Sequence, residues 1–236
     1  MRFLAWIGLL CAIIPGPAMA GTQERASATS ELRLHLVSSL PAKQHAVPAV
    51  LWLEPQAGTP VLPFIAQGRY TLLQKNRTFI PHLLVIPVGS SVQFPNADPF
   101  FHNVFSLFEG KRFDLGLYEA GSTRSVTFSR SGVSYIFCNI HPEMSAVVLA
   151  LSTPLYAIAD KSNSFNLPNI PAGDYKLHIW IEGVPQPFLE GLTRTIHVSA
   201  RPVDLGTVAA PIAGTNATAH TNKFGRPYDL DTRSPY

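Results

Sequence analysis

Thiols, charge and long apolar runs are all scarce in this chain of 236 residues, and each scarcity narrows what it can be. There are two cysteines, Cys11 and Cys138. Charged residues make up 14% of the chain, against roughly a quarter in ordinary globular proteins. The longest apolar run, Phe3 to Ile14, is too short for a comfortable membrane span. The net charge of +3 is small and scattered, which argues against a nucleic-acid-binding surface. The sequence pI near 9.0 is compatible with an acidic protein partner and says no more. No amphipathic helical pattern stands out, while 21 prolines and many β-branched residues favour strands.

Residues 1–20 have the layout of a secretory signal peptide. Arg2 supplies the positive start, Phe3 to Ile14 the apolar region, and Ala18-Met19-Ala20 a small-residue cleavage site before Gly21. The expectation is a periplasmic or secreted protein cleaved after Ala20. Leu10 before Cys11 argues against a lipid anchor there, so Cys11 leaves with the signal and Cys138 remains alone. A lone thiol in an oxidising compartment is a liability unless something occupies it, and a metal is one such occupant.

Beyond residue 20 the chain reads as short strands separated by turn signals, the pattern of an all-β sandwich. Leu32-Arg33-Leu34-His35-Leu36 alternates, and Ala49 to Leu53 forms a second candidate; both lie in an N-terminal region, 30–66. Residues 67–152 hold a denser series. Leu83 to Val88 leads to the turn Gly89-Ser90-Ser91, then Val92-Gln93-Phe94. Val133, Tyr135 and Phe137 share one strand face, Ile136 and Cys138 the other, and Ser145 to Leu151 is almost continuously apolar. Residues 153–200 carry further strands, including Tyr175, Leu177 and Ile179 in alternation, and 201–236 read as an extended C-terminal tail.

The chemistry concentrates in Cys138-Asn139-Ile140-His141-Pro142-Glu143-Met144 and, upstream, His102. A thiolate, two imidazoles and a thioether suit a copper ion that must be held as both Cu(I) and Cu(II). The expected metal ligands are His102, Cys138, His141 and Met144. Pro142 cannot donate an N–H and stiffens the loop behind His141. A catalytic Cys–His pair is the competing reading, but it leaves Met144 without a role. Structural zinc usually takes more thiolates and no thioether, and the Cys-x-x-Cys-His of a c-type haem is absent. His82 reads as a strand-start residue, and His35, His45, His178 and His197 lie on strand or turn patterns without ligand-like neighbours. His220 lies in the tail and is expected to be solvated.

From about Gly68 to Ser152 the chain resembles the cupredoxin, or blue copper, family. Phe79 to Gly89 and Val92 to Asp98 resemble its N-terminal strands and the loop, Pro95 to Pro99 here, that enters the first ligand. His102-Asn103-Val104 is similar to the plastocyanin-type motif, and the Cys-x-x-His-x-x-Met loop to that of amicyanin. The resemblance implies a Greek-key β-sandwich with one type-1 copper on the four ligands named above. Asn103 would tie the two ligand loops, with its backbone N–H directed at the thiolate. An exposed edge of His141 would be the electron port. Phe100, Phe101, Phe105 and Phe137 are candidates to wall the site from water.

The function so implied is single-electron transfer between exported redox proteins, with no turnover chemistry. A cytochrome c, a quinoprotein or a copper oxidoreductase would be the partner. A copper-handling module that docks an envelope or redox partner is the alternative.

The flanks have a resemblance of their own. Asp160 to Phe165 followed by Leu167-Pro168-Asn169-Ile170-Pro171-Ala172-Gly173-Asp174-Tyr175-Lys176-Leu177 resembles the second half of carboxypeptidase-regulatory-like domains, small transthyretin-like sandwiches. Ser164 stands where that family often has glycine, with Asn163 able to take a left-handed turn. Residues 32–53 would be the first half if the copper region interrupts the sandwich. Otherwise the N-terminal strands are an edge of the copper region, and a separate small sandwich comes after it.

Overall fold

The computed structural model describes residues 29–39, 46–107, 110–212 and 220–228. The first 28 residues, which include the signal-like segment and Cys11, and His45 lie outside the described residues. The chain is all-β. It opens with β1 (Thr29–Ser38) and β2 (Ala49–Pro55), then continues through β3 (Tyr70–Thr71), β4 (Leu73–Lys75), β5 (Thr78–Ile80), β6 (Leu83–Pro87) and β7 (Ser91–Pro95). Next come β8 (His102–Ser106), β9 (Phe113–Tyr118), β10 (Thr123–Thr127), β11 (Gly132–Cys138) and β12 (Ser145–Leu151). The last elements are β13 (Tyr156–Ile158), β14 (Ser164–Pro171), β15 (Gly173–Ile181), the helix α1 (Gln186–Leu192), β16 (Arg194–Val198) and β17 (Val203–Ala210). Among the described residues no helix is long and apolar enough to cross a membrane.

Strands from the two flanks share sheets. One sheet has the order β14-β1-β17 and another β13-β2-β15-β16. Leu34 lies opposite Phe165, and Leu51 opposite both Ala157 and Ile179. The alternation in β1 turns Leu32, Leu34 and Leu36 into one core with Leu51, Leu53, Phe165, Leu177 and Ile179. Asn163 takes φ 60° at the turn into β14, and its side-chain oxygen accepts the Val47 N–H at 2.9 Å.

Between the flanks, β3 to β12 build a central sandwich from the sheets β6-β12-β11-β8-β9 and β10-β7-β3, with β4–β5 a separate hairpin. The apolar run of β12 now has a reason. Ala146, Val148 and Ala150 belong to the core of this sandwich, while Val147, Leu149 and Leu151 belong to the flanking core. A strand covered on both faces loses its polar alternation. β11 divides the same way: Ile136 and Cys138 face the central core, and Val133 and Tyr135 pack against the flanking one. Trp180 Nε1 donates to the Tyr135 hydroxyl at 3.2 Å across this seam. His82 also spans it, meeting Glu182 at 2.8 Å through Nε2 and the Ser145 carbonyl at 3.1 Å through Nδ1.

Three elements differ from the sequence reading. Residues 203–210, assigned there to the tail, form β17 and pair in parallel with β1. Their pattern is weak because β17 is an edge strand and stays largely exposed. α1 is seven residues long, starts after Pro185 and has no side-chain cap, so no helical period develops in so short a stretch. The hairpin β4–β5 pairs three residues on each side, too short a stretch for an alternation to show, and its turn is tied to Asp98.

Candidate metal centre

His102 opens β8 and Cys138 closes β11. These strands are neighbours, with Cys138 opposite Val104, so the two side chains come to the same end of the sandwich. The loop after Cys138 is folded tightly on itself. Met144 N–H donates to the His141 carbonyl at 3.1 Å, and Cys138 N–H to the Met144 carbonyl at 3.3 Å. Asn139 N–H donates to the Asn103 carbonyl at 2.8 Å, which joins the loop to β8.

Within this frame His102 Nδ1, His141 Nδ1 and Cys138 Sγ converge. The two nitrogens are 3.1 Å apart, and the sulfur is 3.6 Å from His102 and 3.5 Å from His141. All three residues are buried. The middle of such a triangle lies about 2 Å from each corner, close to the bond lengths of imidazole and thiolate to a transition metal. The three donors therefore fit one ion. Met144 is fully buried in the same core as Cys138, with its backbone closing the loop. Pro142 occupies the turn between them.

Electrostatics favours metal-ready imidazoles. Burial pushes the His141 imidazole down to about 4, helped by the neighbouring His102 and Arg77 charges. Burial also lowers His102, against the opposing pull of Asp98. Both rings are then neutral near pH 7 and offer lone pairs. Burial raises the Cys138 thiol, while the backbone N–H groups of Asn103, Ile140 and His141 favour its thiolate. These donors are aimed where a thiolate charge would sit, and a bound cation would displace the proton.

Several neighbours escaped the sequence reading. Asp98, in what read only as a loop, meets His102 Nε2 at 3.0 Å. Asp114 on β9 accepts from Asn103 Nδ2 at 2.6 Å and from Lys223 Nζ at 2.7 Å. The C-terminal segment 220–228 returns to the site. His220 stacks on Phe137 at 3.9 Å, and Lys223 N–H donates to Asn139 Oδ1 at 2.9 Å. Tyr228 donates its hydroxyl proton to the Cys138 carbonyl at 2.7 Å. His220, expected to be solvated, is half-buried because Phe137 stacks on its ring and Tyr228 packs edge-on against it. No local pattern announces these contacts; scattered aromatics in a polar tail were the one available sign.

The expected exposed edge of His141 is also corrected. The residue is 5% exposed, and its Nε2 is buried without a hydrogen-bond partner among the described residues. The Phe100 ring lies 5.3 Å from it and 5.4 Å from His102, so this phenylalanine covers the ligands. Phe101 points outward, 42% exposed, while Phe105 and Phe137 pack on each other at 5.9 Å.

The remaining histidines are accounted for elsewhere. His35 meets Ser164, His178 stacks on Trp52 and meets Glu54, and His197 meets Asp174.

No protein-family model and no curated protein matches this chain. Solved structures do. A purple cupredoxin from Nitrosopumilus maritimus is similar over 36% of this chain and all of its own, at 25% identity and a TM-score of 0.32. An amicyanin from Paracoccus versutus is similar over 37% of this chain and 85% of its own, at 20% identity and a TM-score of 0.33. A copper-containing nitrite reductase from Thermus scotoductus is matched at 23% identity over 50% of this chain, with a TM-score of 0.34; the match spans 28% of that enzyme.

Proposed function

We propose that the central sandwich is a cupredoxin-type domain that holds one type-1 copper and that the protein carries single electrons between exported redox proteins. The observation behind this is the buried triangle of two imidazole nitrogens and one sulfur, with Met144 in the same core. Copper in such a set supplies reversible one-electron chemistry. The chain's own contribution is rigidity: ligands sit at strand ends, the loop closes on its own backbone, and Phe100 keeps water off the rings. A ligand set this enclosed leaves substrate no access, which supports a carrier over an enzyme. The export reading rests on the signal-like first twenty residues. The partner is then an exported redox protein such as a cytochrome c or a quinoprotein.

Copper loading of the purified protein tests this. An intense visible thiolate-to-copper absorption band with fast, reversible redox cycling is expected. A colourless protein that takes Cu(I) and yields it to a chelator would instead favour copper handling. The segment 220–228 and the flanking sandwich give that second reading its support, because a carrier needs neither.

A further inference from the structure

Asp98 has the most unusual surroundings of any carboxylate near the site. It is 4% exposed and receives three N–H groups. The Asn76 N–H reaches Oδ1 at 2.6 Å, the Arg77 N–H reaches Oδ2 at 3.0 Å, and His102 Nε2 reaches Oδ2 at 3.0 Å. Asn76 and Arg77 are the two turn residues of β4–β5, at φ 55° and 53°. An arginine in that left-handed region costs on the order of 1 kcal/mol. Here the turn geometry aims two successive backbone N–H groups at one carboxylate, the way a backbone nest holds an anion. Asn96 adds a further hold, its Oδ1 accepting the Asp98 N–H at 3.0 Å.

We infer that Asp98 is a positioning residue that fixes the His102 tautomer and, through its buried charge, favours the oxidised state of the bound metal. The inference rests on the copper reading above. An ionised carboxylate only accepts hydrogen bonds, so His102 must carry its proton on Nε2 and present a bare Nδ1 to Cys138 and His141. The charge count gives the second half. Two neutral imidazoles, a thiolate, a thioether and Cu(II) sum to +1, and to zero after reduction. Asp98 makes these sums zero and −1, so reduction leaves an uncompensated buried charge and becomes harder. Arg77, whose guanidinium lies 5.2 Å over the Phe100 ring, offsets only part of this because it is exposed to solvent screening.

The metal-free wild type is examined first by nitrogen-15 NMR. A slowly exchanging His102 Nε2–H is expected, in contrast to the exposed His197; a His102 ring N–H that exchanges as fast as that of His197, or a proton on Nδ1, overturns the inference. Asp98→Asn is then loaded with copper. Its Cu(I)-to-Cu(II) preference should rise about tenfold, equivalent to about 59 mV for one electron. Copper affinity should fall about 10- to 100-fold, as when outer partners of ligating histidines are lost. Asp98→Ser, whose hydroxyl still accepts from the hairpin N–H groups, reads the same potential shift if the asparagine variant does not fold. A blue protein whose potential is unchanged in these variants overturns the inference alone. A wild type that takes up no copper overturns the functional reading and, with it, the tuning of the potential; the tautomer result then stands by itself.

Discussion

Histidines occupy two contrasting settings in this protein. In the flanking sheets, His197 meets Asp174 at 2.7 Å at the exposed surface, and the half-buried His178 meets Glu54 at 3.2 Å. In the central sandwich, His102 and His141 are buried and turn their Nδ1 atoms toward each other and toward a sulfur. The residue type is the same and the consequence opposite. A solvent-exposed ion pair such as His197–Asp174 gains little, because water screens it. Two buried lone pairs facing one thiol have no mutual hydrogen bonds that satisfy all three, and a cation resolves that conflict. The difference lies in what converges, not in the count of ligand-type residues.

Breaking the convergence gives the largest effect. Cys138→Ser should abolish the visible absorption of the copper-loaded protein and weaken copper binding by orders of magnitude, with the β-sheet circular dichroism retained. His178→Ala in the flanking sheets should leave both absorption and binding untouched. A variant lacking Cys138 that remains blue would contradict the ligand assignment.

Next in size is the seam between the two regions. Leu149 lies on the face of β12 that belongs to the flanking core. Leu149→Ala should cost about 2–5 kcal/mol in denaturant unfolding. Because β12 also carries Val148 of the central core, Trp180 fluorescence and amide exchange of the ligand loop should lose protection together. Separate transitions would show that the two cores unfold independently.

The C-terminal segment supplies a smaller effect. Tyr228→Phe deletes the hydroxyl that donates to the Cys138 carbonyl and should cost about 1 kcal/mol. Amides 139–144 should exchange faster, while exchange in β15 stays as it was.

The smallest is a pH effect at His82. The hydrogen bond to Glu182 raises this imidazole above its usual value, against burial. The stabilisation is fully present below about pH 6.5, the unfolded value, and is lost as pH rises through the raised folded value. Since the His82 side chain is 38% exposed, it amounts to less than about 1 kcal/mol. Glu182→Gln should therefore lower stability at pH 5.5 and have little effect at pH 8.5. An equal loss at both values would mean that the pair does not act through protonation.

Much of the central region was legible in the order of its residues. The alternation that puts Ile136 and Cys138 on one face of β11 is local, and strand geometry converts it directly into which side chains share a core. His141, three residues after Cys138, lies within reach of it in any tight loop. Asp98 was illegible because one carboxylate in a loop looks like any other; only the turn of β4–β5 gives it N–H partners. The buried edge of His141 was misjudged because the covering ring, Phe100, comes from another loop. β17 has an exposed, weak pattern and acquires its place by pairing with β1, far back in the chain.

Taken alone, the amino-acid order determined the β class, the faces of the main strands and the soft-donor loop, because each depends on neighbours within a few positions. Tertiary structure decided the rest: that strands 29–55 and 156–210 share two sheets, that Asp98 holds His102, and that Tyr228 reaches back to Cys138. Those contacts join residues far apart in the chain, where no local period or spacing constrains which groups meet, and burial and hydrogen-bond satisfaction select the partners.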